Sequence, residues 1–196
     1  MMTQKNAPYL LIAALFALGA VMPVVLKQYH LNMLTEIIVF ALYAVSYNLL
    51  LGYAGLLSFG HAMFFGMGAF TVAVSLIHIP GLSMWGAIGL ALAMTTVVGF
   101  VAGGLLLRHK GSYFALLTLA FNSLFYAVAT KWHTVTGGDD GLSVTRPDLA
   151  LGFTTVSLAG IESFYWFTLV IIGAAIVFCW YFTQTAMGQT VLMMRE

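Results

Sequence analysis

Charge is almost missing from this sequence. Of 196 residues, seven are basic and six acidic, a charged share of 7% where an ordinary soluble domain carries about a quarter. So few charges cannot solvate a water-facing surface of this size, so a soluble globule is excluded. The net charge of +1 says nothing about nucleic acid or acidic partners, because lipid is the solvent for most of the surface; no nucleic-acid partner is expected. Cysteine is as scarce: the lone Cys179 rules out a disulfide framework, and no Cys/His pairing has metal-ligand spacing. No GxxxxGK[ST] phosphate loop occurs, so the sequence offers no nucleotide site of that type. No serine, histidine and acid gather on one plausible face, which leaves a covalent hydrolase without a triad. The chain therefore reads as neither an enzyme nor a metalloprotein.

What is present is hydrophobic residue, 62% of the chain, in runs longer than a buried core helix needs. At roughly 20 apolar residues per bilayer crossing, spans fall near 8–26, 33–51, 60–79, 82–107, 112–130 and 163–182. The fold class is all-α: a polytopic transmembrane bundle of about six spans, forming one transmembrane domain over 1–196. The first run is too long for a signal h-region and no small-x-small site follows it, so it reads as a membrane helix. Lys27-Gln-Tyr-His30, Pro80-Gly81 and Arg108-His-Lys-Gly111 punctuate the spans. With the amino terminus inside, Lys5, Arg108, Lys110 and Arg195 face the cytoplasm, and Lys27, Lys131 and Arg146 lie outside. The segment 131–162, with Asp139, Asp140, Asp148 and Glu162, is the one sizeable polar loop and is expected in the outer compartment.

Glycine and the few polar residues concentrate between spans 2 and 3, in NLLLGYAGLLSFGHAMFFGMGAF, Asn48 to Phe70. Each glycine inside a helix costs roughly 1 kcal/mol against alanine, so Gly52, Gly55 and Gly60 predict a helix break. Irregular backbone at membrane depth survives only where protein or a water-filled cavity serves its polar groups, and broken helices recur at transporter substrate sites. Asn48, Gly52, Gly55, Ser58, Gly60 and His61 are accordingly the candidate substrate path. Ser58 is the expected cap of the next helix, with His61 in its first turn. Ser46 and Asn48 serve equally as interhelical hydrogen-bonding groups, and mid-span Asn122 has the same two readings. Ala62, Gly66 and Phe70, with Gly68 nearby and Gly99/Gly103 in the fourth span, predict close helix packing.

This stretch resembles the N-x3-G-[YW]-x-G-x2-S-x-G-H-x-x-F-F-G-x-G-A-[YF] signature of permease subunits of branched-chain (hydrophobic) amino acid ABC transporters, with Ala54 and Phe70 as departures. Three further blocks are similar and in order: Arg108 to Phe121 to R-x2-G-x-Y-F-A-x2-T-L-A-F, Thr136 to Leu142 to T-G-G-x-[DN]-G-[LI], and Gly188 to Glu196 to G-R-x3-A-I-R-E. In the last block Gln189 and Met193 stand where arginine and alanine are usual. The resemblance implies a multi-pass bacterial inner-membrane permease, the N-terminal portion of a longer one, for branched-chain amino acids. It implies a second homologous permease, two cytoplasmic ATPase subunits that use ATP and Mg, and a periplasmic binding protein, with no cofactor in this chain. Gly188, Leu192, Arg195 and Glu196 become the candidate coupling segment. Gly137, Gly138, Asp139 and Asp140 become either a turn or a contact for the binding protein. Competing readings are a permease for urea, short amides or another small organic solute, a non-transporting fragment, and an intramembrane enzyme pairing His61 with Asp139 or Asp140.

Overall fold

The computed structural model describes residues 7–106, 108, 111–150 and 155–193, with side chains from Phe16 onward and without that of Ala150. Helices α1 (Ala7–Val25), α2 (Gln28–Asn48), α3 (His61–His78), α4 (Met84–Leu106), α5 (Ser112–Lys131) and α7 (Ile161–Gln184) form the bundle. A π-turn, Leu49–Tyr53, extends α2. Among the described residues, five helices are long and apolar enough to cross a membrane: α2 with its π-turn, α3, α4, α5 and α7. The remaining expected crossing corresponds to α1, 19 residues long. The chain is a multi-pass, all-α membrane protein.

The segment after α5 carries more structure than a plain loop. It holds a one-turn helix α6 (His133–Thr136), a 3-10 turn (Gly138–Asp140) and an antiparallel ribbon of β1 (Leu149–Ala150) and β2 (Thr155–Val156). The guanidinium of Arg146 lies 3.9 Å over the Phe164 ring, tying this segment to the start of α7 through a cation–π contact.

Two helix pairs dominate the packing, α2 with α7 and α3 with α4. Leu31, Tyr165 and Leu169 are the buried centre of the first, with Phe16, Leu34 and Ile38 against them. Ala102, Leu106 and Phe114 join α4 to α5, with Leu56 of the irregular connection packed on them.

Pro23 lies inside α1. Proline has no N–H and withdraws the hydrogen bond that the carbonyl four residues earlier would accept; that carbonyl belongs to Gly19. The Tyr165 hydroxyl donates to Gly19 O at 2.8 Å, the kind of repair that lets proline persist in a membrane helix. Tyr165→Phe is expected to cost about 1–2 kcal/mol in detergent unfolding. The cost should shrink in a Pro23→Ala background, which gives the carbonyl back its own helix donor.

Candidate functional site

The structure resolves how α2 passes into α3. Gly52 does not end the helix: the backbone continues through it as the π-turn, and the break runs over 54–60. Asn48 explains Gly52, because a Cβ there would lie 2.5 Å from Asn48 Oδ1. The N-x3-G spacing thus lays an amide across a bare backbone one turn on. Gly55 has φ +68°, a left-handed conformation that glycine adopts without steric cost. Gly60 is buried against α5, where a Cβ would sit 3.1 Å from Thr118 O and 3.2 Å from Thr118 Cβ. The Phe59 N–H donates to Thr118 Oγ1 at 3.1 Å. Two of the sequence blocks, 48–70 and 108–121, therefore meet at this point.

Ser58 is not the cap expected of it. Gly60 is the N-cap of α3 and no side chain caps that helix. The Ser58 hydroxyl instead accepts the Gly60 N–H at 3.3 Å. The physical reason is that Thr118 already draws the neighbouring Phe59 N–H toward α5, which holds the chain in a tight turn one residue before the helix begins. Gly66 is also corrected: a Cβ there would meet nothing within 4 Å, so no helix packs on it, whereas Gly68 approaches Thr95 and Gly99 approaches Phe64 of the α3–α4 pair.

His61 opens α3 and turns toward α2. Its Nε2 is 2.7 Å from Ser46 Oγ, and Ser46 Oγ is 2.9 Å from Tyr43 O. If the hydroxyl proton goes to that carbonyl, Nε2 carries the proton shared with Oγ. The imidazole sits beside the rings of Tyr43 and Tyr47, with centroids 5.0 and 5.6 Å away. One turn on, Phe65 packs on Tyr43 and stacks with Phe40. The α2–α3 seam at this end is thus a polar pair inside an aromatic sleeve. A double-mutant cycle of Ser46→Ala with His61→Ala should return a coupling of about 0.6 kcal/mol, the usual size for such bonds between membrane helices.

On the opposite face of α3 lies an apolar cleft of about 710 Å³ between α3, α4, α5 and α6, within the size range of ligand sites. Met63, Gly66 and Phe70 line it, and Asn122 is among its few polar groups. None of Asn48, Gly52, Gly55, Ser58, Gly60 or His61 does. Of the candidate path residues, then, Asn48 ends α2, Gly52 lies in the π-turn, Gly55, Ser58 and Gly60 lie in the break, His61 opens α3, and the large cleft is a separate feature. Because Thr136 lines the far end of that cleft beside His78, the Asp139/Asp140 turn lies a helix length from His61, about 25 Å along α3. That distance removes the enzyme reading that paired them.

In the 136–142 block, Thr136 Oγ1 lies 2.6 Å from Ala129 O and 2.8 Å from Trp132 O, closing the end of α5. Gly137 and Gly138 serve the turn: a Cβ on the first would strike Gly141 and on the second the His133 ring. Asp139 and Asp140 are exposed.

At the carboxyl end, α8 (Ala186–Met193) leaves α7 at a sharp corner. Thr185 Oγ1 accepts the Gly188 N–H at 3.3 Å, an N-cap, and Gln189 Nε2 donates to Thr183 O at 3.0 Å. Gly188 is buried, Leu192 is exposed, and α8 contacts the π-turn. Arg195, Glu196, Lys5 and Lys110 lie outside the described residues.

Sequence reasoning passed over Glu36. It is the ninth residue of α2, the fourth of the expected span 33–51, and the only charged side chain within any of the six predicted spans. That isolation in an apolar run was the signal available.

Comparison with known proteins shows the family. The family described as branched-chain amino acid transport system / permease component matches residues 29–196. The chain is 30% identical over 141 residues to the high-affinity branched-chain amino acid transport system permease protein LivM of Escherichia coli K12, covering 71% of this chain and 33% of that protein. It is 29% identical, over the same shares, to the LivM protein of Salmonella typhimurium LT2. The chain spans about a third of the length of the curated relatives it matches. No solved structure matches it.

Proposed function

We propose for this chain, which belongs to the branched-chain amino acid transport system permease-component family, the role of a membrane-spanning permease in an ATP-driven importer of branched-chain, hydrophobic amino acids. The observation that carries it is the irregular connection 54–60. A glycine-broken segment is held between two membrane helices, its backbone N–H at Phe59 served by Thr118 and its exit marked by the Ser46–His61 pair. Irregular backbone at membrane depth is tolerated where it is buried in protein or lines a water-filled cavity, and broken helices recur at transporter substrate sites. The neutral hydrogen bonds of Ser46, Asn48 and His61 suit a zwitterion's head group, and the surrounding rings suit an aliphatic tail.

In this reading the chain hydrolyses nothing. Two ATPase subunits bind ATP and Mg on the cytoplasmic side of the bacterial inner membrane, a second homologous permease completes the membrane part, and a periplasmic binding protein delivers the solute. The α7–α8 corner, with Gly188 and Leu192 and continuing to Arg195 and Glu196, is the contact to an ATPase, and Asp139/Asp140 is the contact to the binding protein. The test is co-purification with the ATPases and second permease, then ATPase assay with binding protein loaded with leucine or with urea. Stimulation by the leucine-loaded protein alone is the expected result. Stimulation by the urea-loaded protein would move the substrate to short amides, and failure to retain any ATPase would leave a chain that does not couple.

A further inference from the structure

Glu36 has no hydrogen-bond or ion-pair partner among the described residues, and its side chain is exposed. It stands about 12 Å along α2 from Gln28, in a 26-residue apolar span that includes the π-turn. An uncompensated carboxylate at such a depth is costly, and charged groups kept there face protein or water instead of lipid. The side of α2 that buries Leu31 and Thr35 belongs to α7. Glu36 lies on the other side, in register with Phe40, Tyr43 and Tyr47, spaced i, i+4, i+7 and i+11 along one helical face.

The lower part of that face is the aromatic sleeve around His61. Phe40 and Tyr43 pack on Phe65 with centroids 6.1 and 5.7 Å apart, and Tyr43 and Tyr47 flank the imidazole. Phe40 remains 59% exposed, so the row is open beside the carboxylate and closes toward the break. A carboxylate followed by ring faces is chemistry that attracts a cation along its length, first by charge and then through the ring quadrupoles.

We propose that the Glu36–Phe40–Tyr43–Tyr47 face of α2 lines the aqueous path, and that the Glu36 carboxylate receives the ammonium group of the amino-acid substrate. The inference rests on the transport reading above. The face lies on the side of α2 that meets α3, and it leads from the end of the bundle bearing α6 and the β-ribbon to the glycine-broken connection. It supplies the one group the polar pair at His61 lacks, a fixed negative charge for the zwitterion's positive end.

The test reads the local potential without relying on transport. In a Cys179→Ala background, Phe40→Cys and Phe100→Cys, the latter position being 85% exposed on α4, are placed in membrane vesicles of both orientations, with the chain assembled among its partner subunits. Each is treated with the cationic trimethylammonium-ethyl and the anionic sulfonato-ethyl methanethiosulfonate. The expected result is that Phe40→Cys reacts and Phe100→Cys does not. The cationic reagent should be favoured roughly tenfold at a carboxylate one turn away, and adding Glu36→Gln should abolish the preference. Leucine uptake should fall about tenfold in Glu36→Gln and less in Glu36→Asp. An unreactive Phe40→Cys means lipid or another protein covers the face and overturns the proposal, as does a charge preference that survives Glu36→Gln. Unchanged uptake in Glu36→Gln would overturn the ammonium assignment. If the unaltered complex takes up no amino acid while the reagents behave as expected, the transport reading fails and the aqueous face stands.

Discussion

Gly137→Ala is expected to lower stability by about 3 kcal/mol, among the largest effects available in this chain. Gly137 has φ +74°, a conformation that costs an L-residue roughly 1–2 kcal/mol. Its new Cβ would also overlap the backbone of Gly141, with Gly141 C only 2.8 Å away. Backbone cannot swing aside as a side-chain tip does, so the turn has to open, and the Gly137 N–H that caps α6 through His133 O at 3.2 Å is lost with it. Tryptophan fluorescence is a suitable reporter, since Trp132 sits at the junction of α5 and α6. Asp139→Ala, at an exposed position of the same turn, should stay within about 0.5 kcal/mol. Equal effects of the two substitutions would mean that the carboxylates, not the glycines, hold the turn.

Gly188→Ala is the second. A Cβ there would run into Phe182 O and lie 2.9 Å from Thr183 Cα, again backbone on both sides. The corner between α7 and α8 opens, and the Thr185 cap and the Gln189–Thr183 bond go with it. An eight-residue helix does not hold together without tertiary packing, so α8 should become protease-sensitive while α7 is untouched. Under the proposed function, retention of ATPase subunits should drop more than tenfold. Met187→Ala, one residue away and 73% exposed, is expected to leave the corner closed. A closed corner in Gly188→Ala, with α8 as protease-resistant as before, would show that the backbone accommodates the methyl group.

What the sequence disclosed and what it withheld divide along physical lines. Membrane helices were legible because hydrocarbon imposes a length and an apolar composition that local sequence alone must satisfy, and the helix break was legible because glycine is locally expensive. The role of Asn48 over Gly52 is local too, one helical turn. The turn geometry at Ser58 was not, because Thr118, 59 residues from Phe59, captures the intervening N–H and displaces the cap. The small residues of α3 carried the same limit: spacing marks Gly66 and Gly68 alike, and only the placement of α4 distinguishes a packed glycine from one on an open cleft. Glu36 was visible as a lone charge, but its meaning comes from the aromatic row below it and from what lies across from that row. In the 131–162 segment, polarity announced a loop and concealed a ribbon two residues wide, too short for alternation to register.

The bond from Tyr165 to Gly19 spans 146 positions, and it imposes an order on the making of this protein. Helix α1 leaves the ribosome before α7, with the Gly19 carbonyl unanswered until the fifth residue of α7 has been synthesised and inserted. During that interval the first helix has a polar defect with no partner in lipid. Until α7 arrives, water or another protein group has to answer the Gly19 carbonyl, since hydrocarbon offers no donor.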